Sequence, residues 1–235
     1  MIAEQQRGEA LTQRERAEAE TTEANLQRQI AEAQRAEAVA AAPSPVQEGR
    51  PGDDFGADTV MLAGPDTVAA DAGDTVFIDC GSTTPHLAAR IPQGIRATVI
   101  CYSLNVANIL CKNNDLRVIL LGGLWHSSSA SFSSDESLAQ LARLGINKAF
   151  ISAAGVDLLR GASCVQFHEA PVKQAAMARS VQKILLVDAS KFGQVKPAFF
   201  ARVDEFDQII TDDGVAPDVA GHELLAGRLT VASAS

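Results

Sequence analysis

Six short apolar runs punctuate the last two thirds of this chain, at residues 76–78, 97–101, 117–121, 149–153, 183–187 and 208–211. Each is shorter than an ordinary helix and too continuously apolar for a strand with one face in water, which suits strands buried on both faces. Helix-compatible stretches lie between them, at residues 86–90, 105–113, 135–144 and 170–182. The alternation predicts an α/β fold: a mainly parallel, twisted sheet with helices on both faces. Such sheets bind ligands at the carboxyl ends of their strands. The residues after the runs therefore matter most: 79–84, 103–105, 122–123, 154–157 and 188–193. All five clusters are small, hydroxylated, glycine-rich or charged, more polar function than a bare scaffold needs.

Residues 75–87, TVFIDCGSTTPHL, carry the sharpest local signal. An apolar strand ends at Asp79, Gly81 lets the chain turn without a Cβ penalty, and Ser82, Thr83 and Thr84 supply hydroxyls. Pro85 then suits a first helical turn. Unpaired N–H groups facing an anion would make this a phosphate site. A capped strand-to-helix turn with no ligand uses the same residue types.

With 46% hydrophobic residues in 235, the chain can build one substantial domain plus an appendage. A net charge of −9 opposes unspecific attraction to nucleic acid or anionic membrane. No apolar run approaches the ~20 residues of a bilayer span, and the amino terminus lacks a signal-peptide core, which predicts a cytoplasmic protein. Cys80, Cys101, Cys111 and Cys164 show no CxxC spacing and read as reduced, mostly buried thiols. The four histidines are scattered, so neither metal nor cofactor is expected. Residues 1–42, rich in Ala, Glu, Gln and Arg, read as a helical or partly disordered segment with a weak apolar stripe. Residues 43–70 read as a Pro/Gly/Asp-rich linker, and 71–235 as the domain proper. Residues 124–137, LWHSSSASFSSDES, have the composition of a mobile loop anchored by an aromatic, or of a lid.

Seven ordered motifs together resemble the carboxy-terminal effector-sensing domain of DeoR-family bacterial transcriptional regulators. They are DCGSTT at 79–84, SLNVA at 103–107, LLGG at 120–123, FISAAGVD at 150–157, HEAPVKQAAM at 168–177, DASKFG at 188–193 and IITD at 209–212. The resemblance implies a fold akin to ribose-5-phosphate isomerase and coenzyme A transferases, sensing of a phosphorylated sugar or polyol, and assembly into a homodimer or homotetramer. Family members usually bind DNA through an amino-terminal winged helix-turn-helix, a pattern not evident in residues 1–70. Tyr102 stands where the family commonly has a small polar residue, and is expected to reshape the pocket.

Candidate effector residues follow. Asp79, Gly81, Ser82, Thr83, Thr84 and Ser103 belong to the matching post-strand turns, the GSTT run being the phosphate candidate. Lys191 would neutralise the phosphate or pair with Asp188. Glu169 and Lys173 share a helix face, as a pocket pair or a helix-stabilising one, and the resemblance adds His168 beside them. Asp157 suits sugar hydroxyls; Asn105 suits a polyol or a helix cap; Gly122 and Gly123 suit close backbone approach or a plain turn.

The rival reading is a sugar-phosphate isomerase, which needs carboxylates beside the reacting carbon. Its acidic DGADE-like turn is SAAGVD here, and its KGGG-like stretch is RGAS at 160–163, so binding without catalysis is expected. Coenzyme A transferase chemistry needs a glutamate nucleophile, and Glu169 sits in a different motif. An oligomerising interaction protein is the third class.

Overall fold

The computed structural model describes residues 70–232. The expectations for residues 1–42, and for the linker up to residue 69, lie outside the described residues. The centre is a seven-stranded sheet in the order β12-β11-β9-β6-β1-β2-β3. Its strands are β1 (Thr75–Ile78), β2 (Thr98–Cys101), β3 (Arg117–Leu120), β6 (Ile146–Ser152), β9 (Ser180–Leu186), β11 (Gln208–Asp212) and β12 (Leu229–Ala232), and every pairing is parallel. All six apolar runs are strands of this sheet, and the chain's carboxy-terminal run closes one edge as β12.

Strand alternation sends Val76 and Ile78 to one face and Phe77 to the other. The first face packs Leu87 and Ala88 of α1 (Thr84–Ala89) and Val106 and Leu110 of α2 (Leu104–Leu110). The opposite face packs Leu141 of α3 (Asp135–Leu141) and Val172, Ala176 and Met177 of α4 (Glu169–Ala178). Helices on both faces explain why β1 carries no polar side chain between Val76 and Ile78: all three are fully buried. A short helix α5 (Pro217–Ala220) precedes β12.

Three local expectations change. The helix predicted over residues 170–182 stops at Ala178, because Ser180 is already paired with Ile146 and a seven-residue β9 outcompetes another helical turn. Residues 124–133 form a hairpin of β4 (Leu124–His126) and β5 (Ser131–Ser133) rather than an irregular loop. Finally β7 (Gly155–Asp157), β8 (Gly161–Cys164) and β10 (Ala198–Ala201) form a separate antiparallel sheet in the order β10-β8-β7.

β1 continues through α1 to β2 on one side, while β6 pairs with its other side. The connections diverge at this point, which opens a crevice at the carboxyl ends of β1 and β6.

Candidate functional site

Asp79 is the first residue past β1 and is completely buried. Its carboxylate is saturated: Oδ1 accepts from the Tyr102 hydroxyl at 2.6 Å and the Cys80 N–H at 2.9 Å. Oδ2 accepts from the Ser152 N–H at 2.8 Å, the Ser152 hydroxyl at 3.1 Å and Lys173 Nζ at 2.5 Å. Lys173, on α4, is itself only 1% exposed. Its ammonium also donates to the Ser152 carbonyl at 3.2 Å and lies 5.4 Å above the Phe200 ring. Burial disfavours this ammonium, but the field of Asp79, reinforced by Cys80 and Glu169, raises Lys173 above the ordinary lysine range. A buried charge is tolerated because it is paired and hydrogen-bonded.

Above this clamp lies a cavity of about 610 Å³, within the usual range for small-ligand sites. Gly81, Ser82 and Thr83 form one wall; Ser127, Ser128 and Ser129 of the β4–β5 turn form another. Asn105, Ser152, Gln166, Glu169, Lys173, Asp188 and Lys191 add to the polar lining. Gly81 has φ +135, and a Cβ there would come 2.8 Å from the Ser152 hydroxyl, so the turn needs glycine on both counts. Lys191 lies 3.3 Å from Asp188 with its side chain about one-third exposed, leaving its ammonium accessible from the cavity.

Glu169 opens α4 with its carboxylate 3.9 Å from Lys173 Nζ. Both residues are buried, so they are not a solvated helix pair. Burial raises the Glu169 carboxyl above its ordinary value; Lys173 opposes that effect and Asp79 adds to it.

Of the sequence candidates, Gly81, Ser82, Thr83, Asn105, Glu169, Lys173 and Lys191 meet around this one cavity. The others do not line it. Asp79 is the counter-ion beneath the floor, and Thr84 is buried with its hydroxyl unpaired inside the first turn of α1. Ser103 takes the N-cap position of α2, also buried with its hydroxyl unpaired, which removes the capping role considered for Asn105. The Gly122 carbonyl accepts from the Ser137 hydroxyl at 2.5 Å, and Gly123, φ +132, lets the chain pass the Ser133 carbonyl. These glycines serve the hairpin's own packing. Asp157 accepts the N–H groups of Leu159 and Arg160, holding the β7–β8 turn. His168 occupies the N-cap position of α4 and stacks on His126. Tyr102 does not reshape the cavity: its ring is fully buried, stacked on Phe77 at 6.0 Å, with its hydroxyl aimed at Asp79.

Sequence reasoning missed Ser152, which braces the floor by donating to the Cys80 carbonyl at 2.5 Å, and the serine turn as a cavity wall. The signal for Ser152 was its place at the end of an apolar run; for the serine turn, the SSS tripeptide. Among the described residues no group of His, Cys, Asp and Glu is arranged to hold a metal ion. No helix of the described residues is long and apolar enough to cross a membrane.

Fold and site together define an open parallel α/β domain with a polar cavity at its topological switch point. The chain belongs to the DeoR C-terminal sensor domain family, whose model matches residues 68–213. It is similar to the deoxyribose operon repressor of Escherichia coli (strain K12), 40% identical over 131 residues that cover 56% of this chain and 52% of the repressor. It is also similar to the lactose phosphotransferase system repressor of Staphylococcus epidermidis (strain ATCC 12228 / FDA PCI 1200), 35% identical over 49% of this chain and 47% of that one. The chain thus spans about half the length of the curated relatives it matches. Among solved structures, ribose 5-phosphate isomerase A from Neisseria gonorrhoeae superposes with a TM-score of 0.41 at 13% identity, over 61% of this chain and 54% of the isomerase.

Proposed function

We propose that this domain binds a phosphorylated sugar or polyol without turning it over, and that the protein uses that binding to regulate carbohydrate-metabolism genes. The observation that carries the proposal is the cavity at the carboxyl ends of β1 and β6, walled by the Gly81–Ser82–Thr83 turn and floored by a clamped lysine. The turn offers N–H groups and hydroxyls to a phosphate, with Lys191 as the accessible cation. Lys173, already neutralised by Asp79, sets the shape of the floor. Glu169, Asn105, Gln166 and the serine turn offer donors and acceptors for hydroxyl groups.

The relatives named above, repressors of a deoxyribose operon and of a lactose phosphotransferase system, support the carbohydrate side of this reading. Against catalysis stands Asp157, the acid left in the SAAGVD turn: it is engaged in the β7–β8 turn and does not line the cavity. Operator DNA contact would need a helix-turn-helix, a pattern not evident in residues 1–70. The working assembly is a homodimer or homotetramer in the cytoplasm.

The test is thermal stability of the full chain against a panel of sugar and polyol phosphates and their unphosphorylated counterparts. Ligand at ~100 times its Kd adds about 2.7 kcal/mol. We expect a shift with a phosphorylated compound, lost in the double variant Ser82→Ala/Thr83→Ala, and no conversion of that compound. Stability unchanged by every compound overturns the phosphate assignment.

A further inference from the structure

The wall of the cavity made by the β4–β5 turn is held on one side by backbone bonds, Leu104 N–H to the Ala130 carbonyl and Phe132 N–H to the Tyr102 carbonyl, both at 2.9 Å, and on the α4 side by two imidazoles. His126, at the end of β4, stacks on His168, which precedes α4; their ring centroids are 3.5 Å apart and the planes differ by 10°. His126 bonds within the hairpin, and His168 bonds to it from α4. His126 Nε2 lies 2.7 Å from the Ser133 hydroxyl, and His168 Nε2 lies 3.2 Å from the Ser129 hydroxyl, which is itself 2.7 Å from that of Ser131. Ser129 lines the cavity, and the next residue along α4 from His168 is Glu169. Ala130, closing the turn, holds a left-handed backbone at φ 47, a conformation a non-glycine residue keeps only when its surroundings impose it.

We propose that the His126–His168 stack is a positioning device: uncharged, it holds the serine turn against the cavity, and on taking up protons it releases the turn. This rests on the ligand reading above and adds its regulation. The physical reason is direct. Two rings in face-to-face contact repel once both carry a positive charge, and imidazole is the side chain whose charge changes between about pH 5 and 8. Burial, and then the neighbouring His126, hold His168 below its ordinary value, so an uncharged His168 is the state this geometry favours near neutrality.

Around the pair the hairpin contributes serines at 129, 131 and 133, while α4 contributes Glu169, which is hydrogen-bonded to Ser129, and Lys173 one turn further on. Glu169 also takes up a proton on acidification, so it must be separated from the histidines in any test.

Trp125 makes that test direct. It is the single tryptophan of the chain, lies next to His126 on β4 and packs on Phe132 at 5.0 Å between ring centroids. Its emission maximum, which reports exposure rather than quenching, is followed in the ligand-free full chain between about pH 7.5 and about pH 5.5, together with amide hydrogen exchange of residues 124–133. Wild type should shift to the red and exchange faster at the lower pH. Glu169→Gln should keep the step; His168→Phe and His126→Phe, which retain a flat ring without a proton site, should lose it. Inorganic phosphate and ribose 5-phosphate are then titrated at both pH values. Comparing wild type with the phenylalanine variants at equal pH cancels the ligands' own ionisation, and the loss of affinity on acidification should be several-fold greater in wild type. Emission and exchange that ignore pH, or a step that survives in both phenylalanine variants, overturn the latch. A normal step with no binding of either probe leaves the latch standing and counts against the phosphate site alone.

Discussion

At the residue scale the decisive feature is the buried pair of Asp79 and Lys173. Removing one partner of a buried ion pair leaves an uncompensated charge, at a cost of ~3–5 kcal/mol. Lys173→Met and Asp79→Asn are each expected to lose stability on that order in equilibrium denaturation. The double variant should lose clearly less than the sum, since residues in one network couple. Glu169 behaves in the opposite sense. Burial raises its carboxyl in the folded state, so its contribution is fully present below the ordinary glutamate value near 4.5 and is lost as pH rises through the raised one. Glu169→Gln should therefore raise the melting temperature of the ligand-free protein at neutral pH, flatten its dependence on pH above 4.5, and weaken ligand binding. A melting temperature below wild type at neutral pH would show that Lys173 needs Glu169 as a second counter-ion.

Among the elements, the β4–β5 hairpin has a geometry that depends on one glycine. Gly123 has φ +132, and a Cβ there would lie 2.3 Å from the Ser133 carbonyl oxygen. Gly123→Ala should cost ~1–3 kcal/mol through backbone strain and collision. Hydrogen exchange should place the damage in the hairpin, with the central strands β1, β6 and β9 unchanged. The hairpin was legible in the sequence only as a serine-rich stretch, because Leu124 and Trp125 are exposed and leave no clean alternation to read. The small sheet of β7, β8 and β10 was illegible for a similar reason. Residues 161–164, GASC, are all buried but carry almost no large apolar surface, so a hydrophobic pattern misses them.

For the whole molecule, the placement of the cysteines tests the two-faced core. Cys80, Cys101 and Cys164 are buried, while Cys111 is exposed at the end of α2. Burial pushes Cys101 up to about 12 and Cys164 up to about 11, and lifts Cys80 further. Since the thiolate is the reactive form, a disulfide reagent at neutral pH should modify one thiol quickly and the other three only on unfolding. A fast Cys101 would mean that the layers packed on the sheet are not closed, whereas a fast Cys80 or Cys164, both of which line the cavity, would mean that the reagent enters it. The sequence by itself determined six strands of the main sheet, their parallel arrangement and the glycine- and hydroxyl-rich turn after β1, because continuous apolar runs, turn residues and hydroxyls are local signals. It also marked seven of the residues that line the cavity. Only the tertiary structure decided that Asp79 lies beneath the cavity rather than in it, that Tyr102 points into the core to hold it, and that His168 faces a histidine. Those outcomes depend on which side of the sheet each turn leaves from and on partners distant along the chain, 94 residues apart for Asp79 and Lys173, and no local pattern encodes such a pairing.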